Sequence, residues 1–206
     1  VAYVDIDAHH ADGVEAVFAG DPAVLLISVH EENRWPFKGL LTDDGGGNVF
    51  NLPVPQGFHD AEMQAVLDRL ILPRVSAFRP DLIVLQAGAD ALAEDPLSRL
   101  ALSNNTHRAV LRALQPLAPR LLLLGGGGYN PWTVGRLWTL LWADLSGQAV
   151  PDTLPHEAAA VLHGLSWQGG GRAVPSQDLL TRLQDPPRTG PVRAEVSDRL
   201  ARLAAR

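Results

Sequence analysis

The chain has 206 residues, 46% of them hydrophobic, which is enough apolar material for one well-buried core and too much for a disordered chain. Its formal net charge of −6 gives no electrostatic basis for binding nucleic acid or an anionic membrane, because both require clustered Lys and Arg. It has no cysteine, which excludes disulfides and thiolate ligands, so any metal must be held by His, Asp or Glu.

The longest apolar runs are far shorter than a membrane span, and no charged-then-apolar leader opens the sequence, so a soluble, cytoplasmic protein is expected. The chain enters an apolar segment directly at Val1, as if cut from something longer.

Residues 1–6, 24–29, 82–85 and 121–124 are short runs rich in Val, Ile and Leu, the pattern of parallel strands buried on both faces. Residues 49–54 read as a fifth strand, ended by Pro55 and Gly57. Between them, Met63, Val66, Leu67, Leu70, Val75 and Phe78 recur at spacings of three, four or five behind Asp60 as an N-cap, which predicts a crossover helix. A second helix is predicted after Ser103, carrying Val110, Leu111, Leu114 and Leu117. A third starts with Asn130 as N-cap and Pro131 at the first helical position. Alternating strands and helices imply an α/β fold with an open, mostly parallel sheet and helices on both faces. After Gly147 the chain is broken by Pro151, Pro155, the glycines Gly169 to Gly171, and Pro186, Pro187 and Pro191, which predicts peripheral structure until a final helix over 192–205. The expected organisation is a catalytic unit over residues 1–146 and peripheral helices with a Pro/Gly-rich tail over 147–206.

In open α/β sheets ligands bind beyond the carboxyl ends of the strands. The first strand runs out into Asp5-Ile6-Asp7-Ala8-His9-His10-Ala11-Asp12, three carboxylates and two imidazoles in eight residues. Period-two alternation puts Asp5, Asp7 and His9 on one face, where oxygen and nitrogen can converge on a cation. The strand at 82–85 ends in Gln86-Ala87-Gly88-Ala89-Asp90, adding a carboxylate. An Asp-His-Asp set leaves zinc an open position, as catalytic zinc sites do. The strand at 121–124 ends in Gly125-Gly126-Gly127-Gly128-Tyr129, backbone that a ligand can approach closely beside a phenol.

Three motifs, Tyr3-Val4-Asp5-Ile6-Asp7-Ala8-His9-His10-Ala11-Asp12-Gly13-Val14, Leu85-Gln86-Ala87-Gly88-Ala89-Asp90-Ala91-Leu92 and Leu124-Gly125-Gly126-Gly127-Gly128-Tyr129, make the sequence resemble the histone deacetylase superfamily, in particular the bacterial acetoin-utilisation deacetylases. The resemblance covers residues 1–145 well and the tail weakly. It implies an arginase/deacetylase-like fold lacking its N-terminal part, and Asp7, His9 and Asp90 as ligands of Zn2+, with Fe2+ as the alternative ion. It further implies Tyr129 as hydrogen-bond donor to the oxyanion formed when water attacks an acetamide carbonyl. Asp5 and Asp12 match carboxylates that orient a pair of catalytic histidines. A structural K+ is implied at Asp5, Asp7, His9, Ser28 and Val29, partly through backbone carbonyls. Trp35, Leu97, Gly127 and Gly128 fall where substrate-pocket residues are expected. The substrate implied is acetyl-lysine in a protein, with an acetylated small amine such as acetylpolyamine as the alternative.

The histidine pair lies upstream of the zinc motif in the family, and this chain has nothing upstream of Val1; His10 fills the position of the family's own second histidine, whose role is packing, and His30, His59 and His107 form no adjacent pair. A general base contributes a factor of roughly 10²–10⁴, so a degenerate or truncated domain that binds metal without turnover is the competing expectation. The segment Trp35-Pro36-Phe37-Lys38-Gly39 matches the family's Phe-Pro-Gly-Thr-Gly loop only loosely, Ala11 stands where the family has glycine after the two histidines, and Glu94 replaces a frequent glycine. A metallophosphoesterase would want Gly-Asp and Gly-Asn-His motifs downstream, and a phosphate cradle would want Gly-Lys-Ser/Thr; neither is present. Trp132, Trp138 and Trp142 are expected in the core, and His59, His107, His156 and His163 at the surface or in caps.

Overall fold

The computed structural model describes residues 1–167 and 175–206; the glycines Gly169 to Gly171 lie outside the described residues. Five strands, β1 (Ala2–Asp5), β2 (Leu25–Glu31), β3 (Val49–Val54), β4 (Ile83–Gln86) and β5 (Leu121–Leu124), form one all-parallel sheet in the order β3-β2-β1-β4-β5. All seven residues of β2 are buried, the polar Ser28, His30 and Glu31 among them, so this strand is covered on both faces. The edge strand β5 differs: its residues alternate between half-buried and exposed, with Leu122 49% exposed.

The connections are helical. They comprise α1 (Asp12–Phe18), α2 (Asp60–Val66), α3 (Leu72–Phe78), α4 (Asn104–Leu114) and α5 (Pro131–Ser146), then α6 (His156–Gly164), α7 (Gln177–Thr181) and α8 (Ala194–Ala204). The predicted crossover helix is a composite, because a π turn over Leu67–Ile71 joins α2 to α3. The extra residue per turn accounts for the spacing of five between Leu70 and Val75, and it keeps both side chains in the core. The cap of α2 is His59 rather than Asp60: Glu62 reaches back to the His59 N–H, while Asp60 accepts from Ser103 and Thr106 of the next crossover. Ser103 precedes α4 in extended conformation, and Asn130 Oδ1 accepts the Trp132 N–H at the start of α5, as its sequence predicts.

Helix α8 buries Val196, Leu200 and Leu203 in the main core, anchored by Arg193 on Glu62 and by Arg74 on the Leu203 carbonyl. Two expectations fail on side-chain placement. Trp138 and Trp142 are 40% and 67% exposed, because the apolar stripe of α5 that meets the core runs through Leu137, Leu140 and Leu141 and leaves these indoles outside; Trp132 is buried. His107 is fully buried inside α4, its Nε2 on the Gly88 carbonyl at 2.9 Å.

The topology dictates where a ligand goes. Strand β1 sits between β2 and β4, and the chain leaves β1 toward one edge and returns to β4 on its other side, so their carboxyl ends flank a topological switch point. In register, Ser28, Asp5, Gln86 and Leu124 form the last rung across β2, β1, β4 and β5.

Candidate metal centre

Beyond that rung the backbone of β1 turns twice on its own carboxylates. The Asp7 N–H donates to Asp5 Oδ1 at 3.0 Å and the His9 N–H to Asp7 Oδ1 at 2.9 Å. The strand ends at Asp5, so it is these turns, and not strand alternation, that bring Asp7 and His9 together. From β4, Asp90 lies in a short 3₁₀ turn over Ala89–Ala91 and accepts the Ala8 N–H at 3.0 Å, which clips the two strand ends to each other.

Ligand atoms of Asp7, His9 and Asp90 all lie within 4.8 Å of one another. His9 Nδ1 stands 3.0 Å from Asp7 Oδ1 and 2.9 Å from Asp90 Oδ2. Asp7 Oδ2 accepts from Gln86 Nε2 and from the Gly127 N–H, both at 2.9 Å. The backbone crowds these carboxylates so closely that a side chain has no room: a Cβ at residue 127 would lie 1.9 Å from Asp90 Oδ2, and one at residue 88 would lie 2.2 Å from Asp7 Oδ2. Two carboxylates and an imidazole, oriented by neighbouring amides, suit a borderline divalent cation with a coordination position left open, so the residues present fit the zinc that the sequence implies.

The electrostatics belong to a cluster short of positive charge. Hydrogen bonds to Asp7 and then Asp90 push the His9 imidazole up to about 10. Burial pushes Asp90 up to about 6 against the hydrogen bond from His9. For Asp7, burial is outweighed by hydrogen bonds from His9, Gln86 and the Gly127 amide, which hold it below the usual carboxylate range. Burial and then the charge of Asp7 push Asp5 well above that range. A cationic imidazole between two carboxylates is the arrangement a divalent ion would replace.

A cleft of about 380 Å³ opens over this triad, and Asp5, Asp12, Trp35, Gly127 and Tyr129 line it with the three ligand candidates. The Trp35 ring is edge-on to His9 with centroids 6.3 Å apart and is 64% exposed, and Tyr129 is 46% exposed. Burial and then the carboxylates of Asp90, Asp7 and Asp95 raise the Tyr129 phenol above its ordinary value, so it is a donor at neutral pH. Leu97 and Gly128 are not among the lining residues. Ser28 and Val29 are buried in β2; Ser28 Oγ accepts the Ala11 N–H and meets His30 Nδ1 at 3.0 Å.

Of the seven histidines, His9 and His10 line this cleft; His10 Nε2 is 2.8 Å from Glu15, and Asp12 faces Lys38 at 3.7 Å. Sequence reasoning missed two residues that hold the site. Gln86 orients Asp7 and accepts the Gly88 N–H; its one signal was a polar residue closing an apolar strand. Asp95 accepts the Tyr129 N–H at 2.7 Å and the Leu97 N–H at 2.9 Å, with no local pattern to announce it.

Comparison with known proteins adds the family. The histone deacetylase domain model matches residues 1–145. The chain is 34% identical over 170 residues to the acetoin utilization protein AcuC of Bacillus subtilis, covering 76% of this chain and 44% of that protein. It is 33% identical over 161 residues to histone deacetylase 1 of Homo sapiens, covering 76% of this chain and 33% of that one. An HDAC homolog from Aquifex aeolicus superposes with a TM-score of 0.90 at 36% identity, over 98% of this chain and 56% of its own, and the HDAC homolog solved in complex with SAHA gives the same TM-score at 35% identity. The chain thus spans less than half the length of these two curated relatives. Motif order, sheet topology and this match over residues 1–145 agree, and the chain belongs to the histone deacetylase family.

Proposed function

We propose that this chain carries the metal-binding, electrophilic part of a zinc-dependent deacetylase site for the acetamide of acetyl-lysine in proteins. The observation that carries the reading is the convergence of Asp7, His9 and Asp90 within 4.8 Å of one another, in a cleft they share with Tyr129. Asp7, His9 and Asp90 hold the ion, Zn2+ in preference to Fe2+ by donor chemistry alone. When bound, such an ion polarises a carbonyl and makes water a better nucleophile. Tyr129 donates its hydroxyl proton in a hydrogen bond to the oxygen on which charge develops as the amide carbon becomes tetrahedral. Gln86 and the Gly127 amide keep Asp7 aimed, and Asp95 holds the loop that presents Tyr129. Trp35 and Gly127 form pocket walls, with Leu97 and Gly128 on the adjoining loops. Asp5 and Ser28, opposed in the β1–β2 register, with Asp7, His9 and Val29, are assigned to a structural monovalent cation. Residues 1–146 supply all of this, and residues 147–206 the periphery.

A second reading is favoured by one observation: His9 is taken up by Asp7 and Asp90, His10 is buried against Glu15, and among the described residues neither Asp5 nor Asp12 holds an imidazole. On that reading the chain binds metal without turnover. One experiment separates the two. Purified protein is assayed for zinc and for acetate released from an acetyl-lysine peptide and from an acetylpolyamine. Stoichiometric zinc with acetate release from the peptide supports the first reading, stoichiometric zinc without release supports the second, and a His9→Ala variant that keeps its metal overturns the ligand assignment.

A further inference from the structure

We infer that Glu31 is a positioning residue that sets the spacing of the cleft's two exposed aromatic walls, Trp35 and Tyr129; the inference rests on the deacetylase reading above. Glu31 is the last residue of β2, and its side chain is 1% exposed. A carboxylate buried to that degree needs its charge matched and its lone pairs used. Its partners come from two different loops. Arg34 grips it as a fork, Nε to Oε2 at 3.0 Å and Nη2 to Oε1 at 2.7 Å, and the Arg99 backbone N–H donates to Oε2 at 2.8 Å.

Each partner leads to one wall. Arg34 directly precedes Trp35, and its carbonyl accepts the Phe37 N–H at 2.7 Å, closing the turn that carries the indole. That turn places Asn33 at φ +57° and Phe37 at φ +61°, left-handed conformations that cost energy outside glycine and persist where surrounding contacts impose them. Arg99 ends the segment that begins at Asp95, and Asp95, 2% exposed, accepts the N–H groups of Leu97 and Tyr129. The connection runs from Trp35 through Arg34 to Glu31, on through Arg99 and Asp95, and out to Tyr129. Trp35 and Tyr129 are too exposed for their own packing to fix them, so the loops must, and a two-point guanidinium–carboxylate fork such as that of Arg34 on Glu31 is the strong kind of contact. Neither Glu31 nor Arg34 lines the cleft, which makes the action indirect.

The test uses the zinc-loaded protein and two hydroxamate probes. Acetohydroxamate meets only the ion and the Tyr129 hydroxyl, whereas suberoylanilide hydroxamic acid also lays a chain and ring against Trp35 and the Tyr129 ring. The wild type should bind the long probe more tightly than the short one. Glu31→Gln and Arg34→Gln should each lower affinity for the long probe by about tenfold, as misplaced walls would. Zinc content should stay at the wild-type value, and affinity for the short probe should fall by much less than affinity for the long one. Variants that keep the wild-type preference for the long probe overturn the inference, and so do variants that lose both probes in proportion, which would mark the ion pair as merely structural. If Glu31→Gln does not fold, Arg34→Gln, altered on the more exposed partner, decides the matter alone. A wild type that holds zinc but binds neither hydroxamate overturns the deacetylase reading itself, an outcome distinct from failure of the Glu31 variants.

Discussion

The Gly127 N–H donates to Asp7 Oδ2 at 2.9 Å, while the Cα of the same residue faces Asp90 so closely that a methyl group there would sit 1.9 Å from Asp90 Oδ2. One glycine of β5's trailing loop therefore aims one carboxylate of the proposed metal site and leaves room for the other. Gly127→Ala cannot preserve both, because the methyl meets a carboxylate held on the far side by the Ala8 amide. Disturbed orientation of ligands costs about 10–100-fold in metal affinity, and that loss is expected for Gly127→Ala in competition with a chromophoric chelator. The far-UV circular dichroism should be unchanged, since the loop lies outside the strands.

Gln86 makes a parallel case without steric conflict. Its amide donates to Asp7 Oδ2 and its carbonyl oxygen accepts the Gly88 N–H, so it spans the ends of β1 and β4. Gln86→Leu keeps the volume and removes both bonds, and a loss of about 10–100-fold in zinc affinity is expected from the same titration. Gln86→Glu should do worse than Gln86→Leu, because it turns a donor to Asp7 into a second negative charge beside it. Equal affinity for zinc in the wild type and Gln86→Leu would show that Asp7 needs no support from β4.

These two residues mark the boundary of what the sequence made legible. Strands buried on both faces write themselves as continuous apolar runs, and a parallel sheet places its chemistry at one end, so Asp7, His9, Asp90 and Tyr129 stood out as charged or phenolic residues directly after such runs. The five-residue spacing from Leu70 to Val75 was visible as well, but only the folded backbone identifies it as a π turn. What stayed hidden depends on contacts between segments remote in sequence. Asp95 sits in a loop without periodicity and Glu31 closes β2, and their roles come from the N–H groups of Tyr129 and Arg99 arriving from other segments. The exposure of Trp138 and Trp142 was hidden for the same reason, since the width of an apolar stripe on α5 depends on how much of it the neighbouring layers cover.

Asp95 links Tyr129 to the Leu97 loop through backbone amides alone. In Asp95→Ala two amides lose their carboxyl acceptor, and about 0.5–1.5 kcal/mol is the usual net contribution of each such hydrogen bond. The expected result is a lower unfolding free energy in urea together with faster hydrogen exchange at the Tyr129 and Leu97 amides, while zinc stoichiometry holds. Unchanged protection of the Tyr129 amide would remove Asp95 from the support of the site.

The docking of α8 depends on Arg193. It forks onto Glu62, Nε to Oε1 at 2.6 Å and Nη2 to Oε2 at 2.7 Å, and the Glu62 side chain is fully buried. Burial works against ionisation of Glu62, but hydrogen bonds from Arg193 outweigh it and hold the carboxyl below its ordinary value. Arg193→Ala strands that charge, and a loss of about 1.5–3 kcal/mol is expected in chemical unfolding, at the lower end if water reaches the vacated position. Since the folded-state pKa of Glu62 is depressed, the pair's contribution is present above the ordinary glutamate range and is lost as pH falls through the folded value. The difference between wild type and Arg193→Ala should therefore narrow in acid.

His107 gives the fold a pH dependence of its own. Burial holds its imidazole below the ordinary 6.5, and its Nε2–H donates to the carbonyl of Gly88, the residue packed against Asp7. Between 6.5 and the lower folded value the unfolded chain takes up a proton that the folded chain does not, so stability falls as pH is lowered from about 6.5. His30, buried and facing His10, is held down to about 3 and acts in the same direction over the same window. Asp5 and Asp90, raised by burial, act in the opposite direction over this window, so the share of the imidazoles is read from the thermal midpoint of the wild type against a His107 variant between pH 7 and pH 5. His107→Asn should be less stable than the wild type at pH 7, where the Gly88 carbonyl loses its donor, and the gap should narrow toward pH 5. A gap that stays constant from pH 7 to pH 5 would mean that the buried imidazole is not a source of acid sensitivity.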